Sequence, residues 1–595
     1  MKKKNLFMFA LASFMFAACS ENLPDGGDDG GGIINTDGEA WVSLNIKAGT
    51  TTKALHNPDE ENGTTNESKV DKIMVVFFDN HLSASANPGV VDTKEWGSGD
   101  PEISTPGQPN GTATKAFKVK KTAKAFLVVL NPSPDFETIA GTATDFATIN
   151  KAIIDTDVTS VIGAGKDYFM MTNAKGQLEP TTVVNSGSVT VTDLDLVTYP
   201  TSGEAELNPQ KVTVDRVAAK VRLFANASYT GNSIDVTTVG WALNVTNKKY
   251  FPMSERTETW MEGGGTTNAG DGSPRNTYES PFDIWEFGSY RKDPNYEGQK
   301  TSMTDISTTP YTDNYTYYTH SNVPTWSAVT AGPSTNPNAS KIPALYCLEN
   351  TQEEADNYQA YSTHVLLKAT VVPTGLKLPG GATYNGPANS DTDVNDSGNV
   401  ISGKDWIKVG KGYYSYKLVI KYIEAELTSK YEDKDPDNFP TSFTTTFNTY
   451  ISYLAGKSCS GVTAVTLPTK DEFDALPGAN DAERVTSIAN KFYQQKVIDN
   501  GADIYGSISY YKGGDSYYTI MIKHDNDTND TNNKLGEFGV VRNSVYDITI
   551  KSIMNPGYPI IQEPDPGKKD EEEEFYMSIE IGINPWTWYE QGVDL

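Results

Sequence analysis

Five histidines, three cysteines and 77 acidic residues are what this chain of 595 residues offers for chemistry. His56, His81, His320, His364 and His524 fall in no paired spacing of the H-E-x-x-H kind, so a zinc site or a histidine-based relay has no local support. His364 and His524 lie in or beside strand patterns, where a structural role is expected. The sequence has no G-x-S-x-G, no phosphate loop and no dinucleotide fingerprint. "EGGGTTNAGDG" is glycine-rich but follows no strand and precedes no helix, so it reads as a loop.

Two acidic stretches come near a calcium-loop pattern. "DTDVNDSGNV" offers Asp391, Asp393 and Asn395, but Asp396 stands where glycine is needed and no glutamate closes the loop. "DNDTNDTNNKLGE" fails in the same way, with Asp530 at the glycine position and Gly536 at the closing one. Both read as solvated connections. No pair of carboxylates stands out for glycoside cleavage. Cys347 and Cys459 are too far apart in sequence for a thiolate metal centre, which wants four ligands at short spacing. In an exported chain they could form a disulfide, and two buried thiols fit equally well. The expectation is no metal, no cofactor and no enzyme.

The elements point elsewhere. Low apolar content with abundant Gly, Asn, Asp, Ser, Thr and Tyr suits β-sheet domains with long polar loops. A formal net charge of −28 excludes a general nucleic-acid binder, which must neutralise phosphate. "MKKKNLFMFALASFMFAACSEN" has a basic start and an apolar run too short to span a bilayer, so residues 1–18 read as a signal peptide. "FAAC" resembles a bacterial lipobox, with Phe16 where leucine is commoner, and makes Cys19 the lipidation site. Residues 19–37 form a Gly/Asp-rich flexible leader.

In "EAWVSLNIKAG", Ala40, Val42, Leu44 and Ile46 alternate with Trp41, Ser43, Asn45 and Lys47, the period of a strand with one buried face. "KVDKIMVVFFD", "KAFLVVLNPS", "YFMMTNA", "SVTVTDLDLV" and "RVAAKVRLFANA" continue as strands, with a helix expected near "DFATINKAIID". A second series begins at "TVGWALNVTNKKYFPM" and ends at "YYTIMIKHD" and "SVYDITIKSI". The tract from Ser254 to about Lys341 should be mostly loop. A helix is expected where Asp481 caps Val485, Ile488 and Phe492. At the chain end, "MSIEIGINPW" repeats the first strand's alternation through Met577, Ile579, Ile581 and Ile583, after the tether "EPDPGKKDEEEE". The fold class is all-β with inserted helices, in two β-sandwich domains: 38–229, and 230–562 with long loops. Residues 563–595 are the tether and tail.

"VDKIMVVFFD", "YFMMTNA", "VDRVAAKVRL", "YCLENT", "GGDSYYTIMIKHD", "EFGVVRNSVYDITIKSI" and "INPWTWYEQGVDL" occur in that order, and together the chain resembles the Bacteroidales fimbrilin family, the type V pilins, nearest the shaft subunits of short fimbriae. The resemblance implies two transthyretin-like sandwich domains in an exported lipoprotein of the outer membrane and cell-surface fimbrium. It implies an adhesive homopolymer built by donor-strand exchange, with accessory tip and anchor subunits, an activating extracellular protease, and host or bacterial surface ligands as partners. The removable first strand would be Ala40, Val42, Leu44 and Ile46. The donor strand would be Met577, Ile579, Ile581 and Ile583, with Trp586 and Trp588 beyond.

Family members are cut after an arginine in the loop that follows the first strand, and this chain has no arginine before Arg216. Lys53, with Lys47 as the alternative, stands in its place, so a lysine-cutting or trypsin-like protease is expected; an uncleaved chain would serve as a terminal or anchoring subunit. The other reading is a monomeric surface glycan- or host-binding lipoprotein, with Trp260, Trp285 and Tyr296 as a stacking platform.

Overall fold

The computed structural model describes residues 38–48, 61–82, 87–103, 112–155, 157–173, 195–231, 233–256, 291–296, 303–331, 343–353, 356–374, 401–409, 412–415, 508–524, 538–570 and 577–587. The chain is mostly strand, as the composition suggests. Its N-terminal strands are β1 (Glu39–Val42), β2 (Leu44–Ala48), β3 (Glu61–Asn62), β4 (Lys72–Phe78), β5 (Val90–Gly97), β6 (Thr112–Ala113), β7 (Phe117–Lys120), β8 (Ala125–Leu130), β9 (Ile153–Ile154), β10 (Met171–Thr172) and β11 (Gln210–Arg216). Among the described residues the main sheet runs β5-β4-β8-β10-β11-β2-β6, and β1 pairs with β7. "IMVVFF" of β4 and "AFLVVL" of β8 are buried throughout. They are inner strands covered on both faces, which is why they read as continuous apolar runs rather than alternating ones.

Helix α1 (Pro134–Ala140) starts where Ser133 accepts from the Phe136 amide and proline takes the first turn. Helix α2 (Phe146–Ile149) is capped by Asp145, whose carboxylate accepts from the Thr148 amide at 2.9 Å. The helix expected through "DFATINKAIID" is therefore shorter than its sequence pattern. After Asn150 the chain turns extended, and β9 pairs with residues 249–250 of the following domain. Helices α3 (Thr159–Ile162) and α4 (Ser202–Leu207) also lie in this half.

The second half holds β12 (Ala218–Ala225), β13 (Ser228–Thr230), β14 (Ile234–Asn244), β15 (Thr246–Asn247), β16 (Lys249–Tyr250), β17 (Glu255–Arg256), β18 (Arg291–Lys292), β19 (Tyr315–Thr316), β20 (Thr330–Ala331), β21 (Leu345–Leu348), β22 (His364–Pro373), β23 (Trp406–Val409), β24 (Gly412–Ser415), β25 (Ile508–Tyr511), β26 (Asp515–Met521), β27 (Ser544–Ile553) and β28 (Met577–Thr587). One sheet is β20-β12-β27-β28-β3, with β21 also on β12; the facing sheet is β13-β14-β22-β26. Leu223, Tyr546 and Ile548 from the first meet Val236, Leu367 and Ile520 from the second in one core. This is a sandwich by its packing. In β26, Ser516, Tyr518 and Ile520 are buried while Tyr517 and Thr519 face outward, the alternation of a one-sided strand. The register of β14 on β22 shifts between Thr238 and Gly240, and at Gly240 a Cβ would lie 2.9 Å from the Ser327 carbonyl, where Ser327 bridges antiparallel to Trp241.

The two cores change over between Ala218 and Ala219, neighbours on opposite faces of β12. The apolar run "RVAAKVRLF" read as one strand of the first domain, but its register places β12 parallel to β27. The tract expected as mostly loop also carries order: helix α5 (Thr309–Asn314) and Tyr311, Tyr315, Tyr358 and Tyr361 form a buried aromatic cluster with Met303. The expected helix after Asp481, the two acidic loops and the Gly-rich loop lie outside the described residues.

Candidate assembly site

The first strand is built into the sheets as two pieces with a break at Ser43. β1 runs antiparallel to β7, with Ala40 opposite Val119 and Val42 opposite Phe117. β2 then lies between β11, to which it is parallel, and β6. Ala40, Val42, Leu44 and Ile46 are all buried, so the alternation read from sequence does mark the core face. Removing three fully buried aliphatic side chains costs about 1.5–3 kcal/mol each. The edge of β11 would also lose its ladder partner. A strap closes over this strand: Trp41 and Tyr199 exchange backbone hydrogen bonds of 2.8 Å, and the Gln210 amide donates to the Ser43 carbonyl at 2.8 Å.

Lys47 lies within β2, its backbone opposite Thr213. Lys53, Cys19 and residues 1–37 lie outside the described residues, as do Trp588, Trp260, Trp285 and Cys459. Cys347 is a buried free thiol, its pKa pushed up to about 12 by burial.

Beyond residue 60 the chain is held firmly, by contacts that no local pattern announces. β3 leads into a turn of 3-10 helix over Asn66–Ser68, in which Glu67 is buried at the contact between the two cores. Its carboxylate pairs with Lys220 at 2.9 Å, with side-chain exposures of 3% and 2%, and accepts from the Tyr346 hydroxyl and the Thr64 amide, each at 2.6 Å. Burial pushes this carboxyl upward, but Lys220, Tyr346 and Thr64 outweigh it and hold the group below the usual carboxylate range. The Arg216 guanidinium donates to the Glu67 carbonyl at 3.0 Å and to the Asn543 side chain at 3.3 Å; burial lowers it to about 10.

Further charges continue the contact. Asn543 donates to Asp215 at 3.0 Å, Arg291 lies 3.5 Å from Asp215, and Arg542 meets Glu349 at 3.1 Å. Within the second domain, Arg222 forks onto Asp547 with two bonds of 2.6 Å across β12 and β27. The available signal was the basic residues of "VDRVAAKVRLF". Arg216, Lys220 and Arg222 stand inside an apolar run, and buried charges require counter-charges.

The tail is placed on its own chain. β28 pairs antiparallel with β27, Ile583 opposite Tyr546 and Ile579 opposite Ile550, with a register shift between Ile550 and Ser552. At its far end Trp586 and Thr587 run parallel to Glu61 and Asn62 of β3, just past the segment that holds Lys53. The expected tether is docked through Asp570. Tyr358 and Lys569 form a bridge, the Gln359 amide donates to the Lys568 carbonyl at 2.9 Å, and Ser362 bonds the Asp570 carboxylate. Only 571–576 separates this docked run from the strand.

His364 is buried, its Nδ1 3.0 Å from the Ser362 carbonyl, and burial lowers it to about 4. His524 bonds the Tyr546 hydroxyl at 2.7 Å within the core, and His81 meets Asp195 at the surface. Tyr296 is 5% exposed, so it offers no open face for stacking on a sugar.

Residues 509–592 match the family model described as major fimbrial subunit protein type IV, fimbrillin, C-terminal. No curated protein matches the chain by sequence. Among solved structures it is similar to a fimbrilin from Porphyromonas gingivalis at 12% identity, covering 94% of this chain and 100% of that one with a TM-score of 0.32. It is similar to the tip fimbrial protein Mfa3 of the same organism at 10% identity, covering 92% and 100% with a TM-score of 0.29. A candidate cell adhesion protein from Parabacteroides distasonis is 12% identical, with 93% and 99% covered and a TM-score of 0.36.

Proposed function

We propose that this chain, a member of the fimbrilin family, is a non-enzymatic structural subunit of a cell-surface fimbrium that assembles by strand exchange. Residues 1–18 direct export and Cys19 carries the lipid that holds the precursor at the outer membrane. An extracellular protease cuts after Lys53, the first strand leaves, and the tail of a second copy takes its place. Tip and anchor subunits complete the fibre, which attaches to host or bacterial surfaces.

The observation that carries this reading is the first strand itself. It supplies core-filling side chains to the N-terminal domain, and its apolar alternation recurs in the tail. The strand comes away only if the chain is cut between it and the Glu67 anchor, and Lys53 lies there. A cut at Lys47 is less accessible, because that backbone is paired within β2. The tail's place on β27 then corresponds to a parked state before exchange. Its ladder on β27 is given up for an equivalent ladder in the neighbour, so the net change is far smaller than either gross contribution.

Trimming of the full-length protein with a trypsin-like protease tests the reading. Trimmed protein should form ladders that resist unheated SDS. Lys53→Ala should remain monomeric under the same treatment, and so should protein lacking residues 577–595. Trimmed protein that stays monomeric, or ladders that survive loss of the tail, would overturn it.

A further inference from the structure

The slot occupied by the first strand is not uniform along its length. Val42, Leu44 and Ile46 fill the core, and Ser43, at the break between β1 and β2, is buried as well. Its hydroxyl donates to the Thr114 carbonyl at 2.8 Å, while the Thr114 hydroxyl accepts from the Leu44 amide at 2.9 Å. Asn45 comes two residues later. Its Oδ1 is buried without a hydrogen-bond partner, and Lys211 is its neighbour across the parallel ladder.

The tail reads Met577-Ser578-Ile579-Glu580-Ile581-Gly582-Ile583. We infer that it enters a second copy with Ser578 at the position of Ser43, which sets Met577 at Val42, Ile579 at Leu44, Glu580 at Asn45, Ile581 at Ile46 and Gly582 at Lys47. The inference rests on the strand-exchange reading and specifies its register. Ser578 renews the hydroxyl bond to the Thr114 carbonyl. Glu580 comes opposite Lys211, an opposite-charge cross-strand pair where the resident strand leaves an amide oxygen unpartnered. The entering strand thus satisfies the slot better than the one it replaces, which gives the exchange a direction.

The other registers meet specific obstacles. Setting Met577 at Ala40 brings Glu580 to the Ser43 position, a carboxylate against a carbonyl oxygen in a buried site. Sliding the opposite way sets Met577 at Leu44 and brings Tyr576 to the Ser43 position, a bulky ring where the slot buries a small hydroxyl. A shift of one residue turns the apolar set away from the core. Entry in the reverse direction places Gly582 at Ser43, which leaves the Thr114 carbonyl without its side-chain donor.

Cysteine pairs in the full-length protein, trimmed, oxidised and boiled in SDS without reductant, read the register. Lys211→Cys with Glu580→Cys should give covalent ladders, as should Thr213→Cys with Gly582→Cys; protein without introduced cysteines controls for Cys347 and Cys459. Ladders from Lys211→Cys with Gly582→Cys would mean a shifted strand, and ladders from Thr213→Cys with Ser578→Cys a reversed one; either overturns the assignment. Ladders before boiling with no covalent link in any pair would remove the register and leave strand exchange standing. No ladder at all, even without introduced cysteines, removes strand exchange and the register with it. As an independent readout, Ser578→Glu should slow ladder formation at least tenfold while Glu580→Ser changes it less than threefold; equal effects would also refute the register.

Discussion

Glu67→Gln is the sharpest perturbation of the contact between the two cores. The substitution keeps the side chain's shape and removes its charge. Lys220 is then left buried without the carboxylate 2.9 Å away, and the Tyr346 hydroxyl and Thr64 amide lose a charged acceptor. Breaking one partner of a buried pair costs about 3–5 kcal/mol. An exposed pair would give only about 0.2–1 kcal/mol. For a domain of this size, each kcal/mol moves the melting temperature by about 2–4 °C, so a fall of at least ~6 °C is expected in calorimetry of the N-terminal domain's transition. Adding Lys220→Met to the variant should recover most of the loss, because it removes the buried ammonium that Glu67→Gln leaves without its carboxylate. Acidity gives a second test. The folded-state value of Glu67 is depressed, so its contribution is complete above the ordinary carboxylate value of ~4.3 and fades as pH falls through the depressed one. The stability gap between wild type and Glu67→Gln should close over that range. A loss below about 1 kcal/mol, or a double variant no better than the single, would refute the reasoning.

Leu44→Ala should destabilise the uncut protein by about 2–5 kcal/mol through the cavity left beside β11, measured by urea unfolding. Asp547→Ala should cost about 3–5 kcal/mol, since it strands Arg222 inside the β12–β27 ladder; a loss near zero would show that the fork is solvated. Gly557→Ala should destabilise by more than ~1 kcal/mol in the same assay, because the new Cβ would press into the Tyr517 carbonyl, which bonds the Tyr558 amide. His364 is lowered to about 4 chiefly by burial, with Lys568 opposing its charge and the Ser362 carbonyl favouring it. The unfolded chain therefore binds the extra proton first, and stability should fall as pH drops from about 6.5 toward 4, by up to ~3 kcal/mol. His364→Gln should flatten that part of the urea-midpoint profile.

Strand positions were legible because burial follows alternation, and Ala40 through Ile46 show how far that signal reaches. The register and partner of a strand are not local properties. "RVAAKVRLF" looks the same whether it closes the first sandwich or opens the second, and only its pairing with β27 decides. Short helices misled for a related reason: Phe146–Ile149 has the helical period, but the helix stops at Asn150, whose side-chain oxygen accepts from the Met253 amide at 2.7 Å, and the chain beyond it pairs with β16. The tether shows the same limit from the polar side. "EPDPGKK" has the composition of a linker, yet Pro564 and Asp570 are buried, and Lys568 to Asp570 bond residues 357–362.

Under the strand-exchange proposal the buried charges bear most directly on assembly, because they would set which part of the chain leaves. Glu67 anchors the segment after Lys53 to β12, while among the described residues the core face of the first strand is held by apolar contact, the bonds of Ser43 and Leu44 with Thr114 and ladder bonds, and its Glu39 meets Lys118 at 3.2 Å on the exposed side. Apolar contacts and ladder bonds can be replaced by any strand of the same pattern. A buried ion pair must be matched charge for charge. The proposed cut at Lys53 would divide the chain between these two kinds of attachment, so that the exchangeable piece departs and the domain contact stays. Glu67→Gln should accordingly weaken the subunit without changing where trypsin-like cleavage occurs first, as read by mass of the trimmed product. A new early cut beyond residue 61 would mean that the anchor, rather than the sequence of the 49–60 segment, protects the chain.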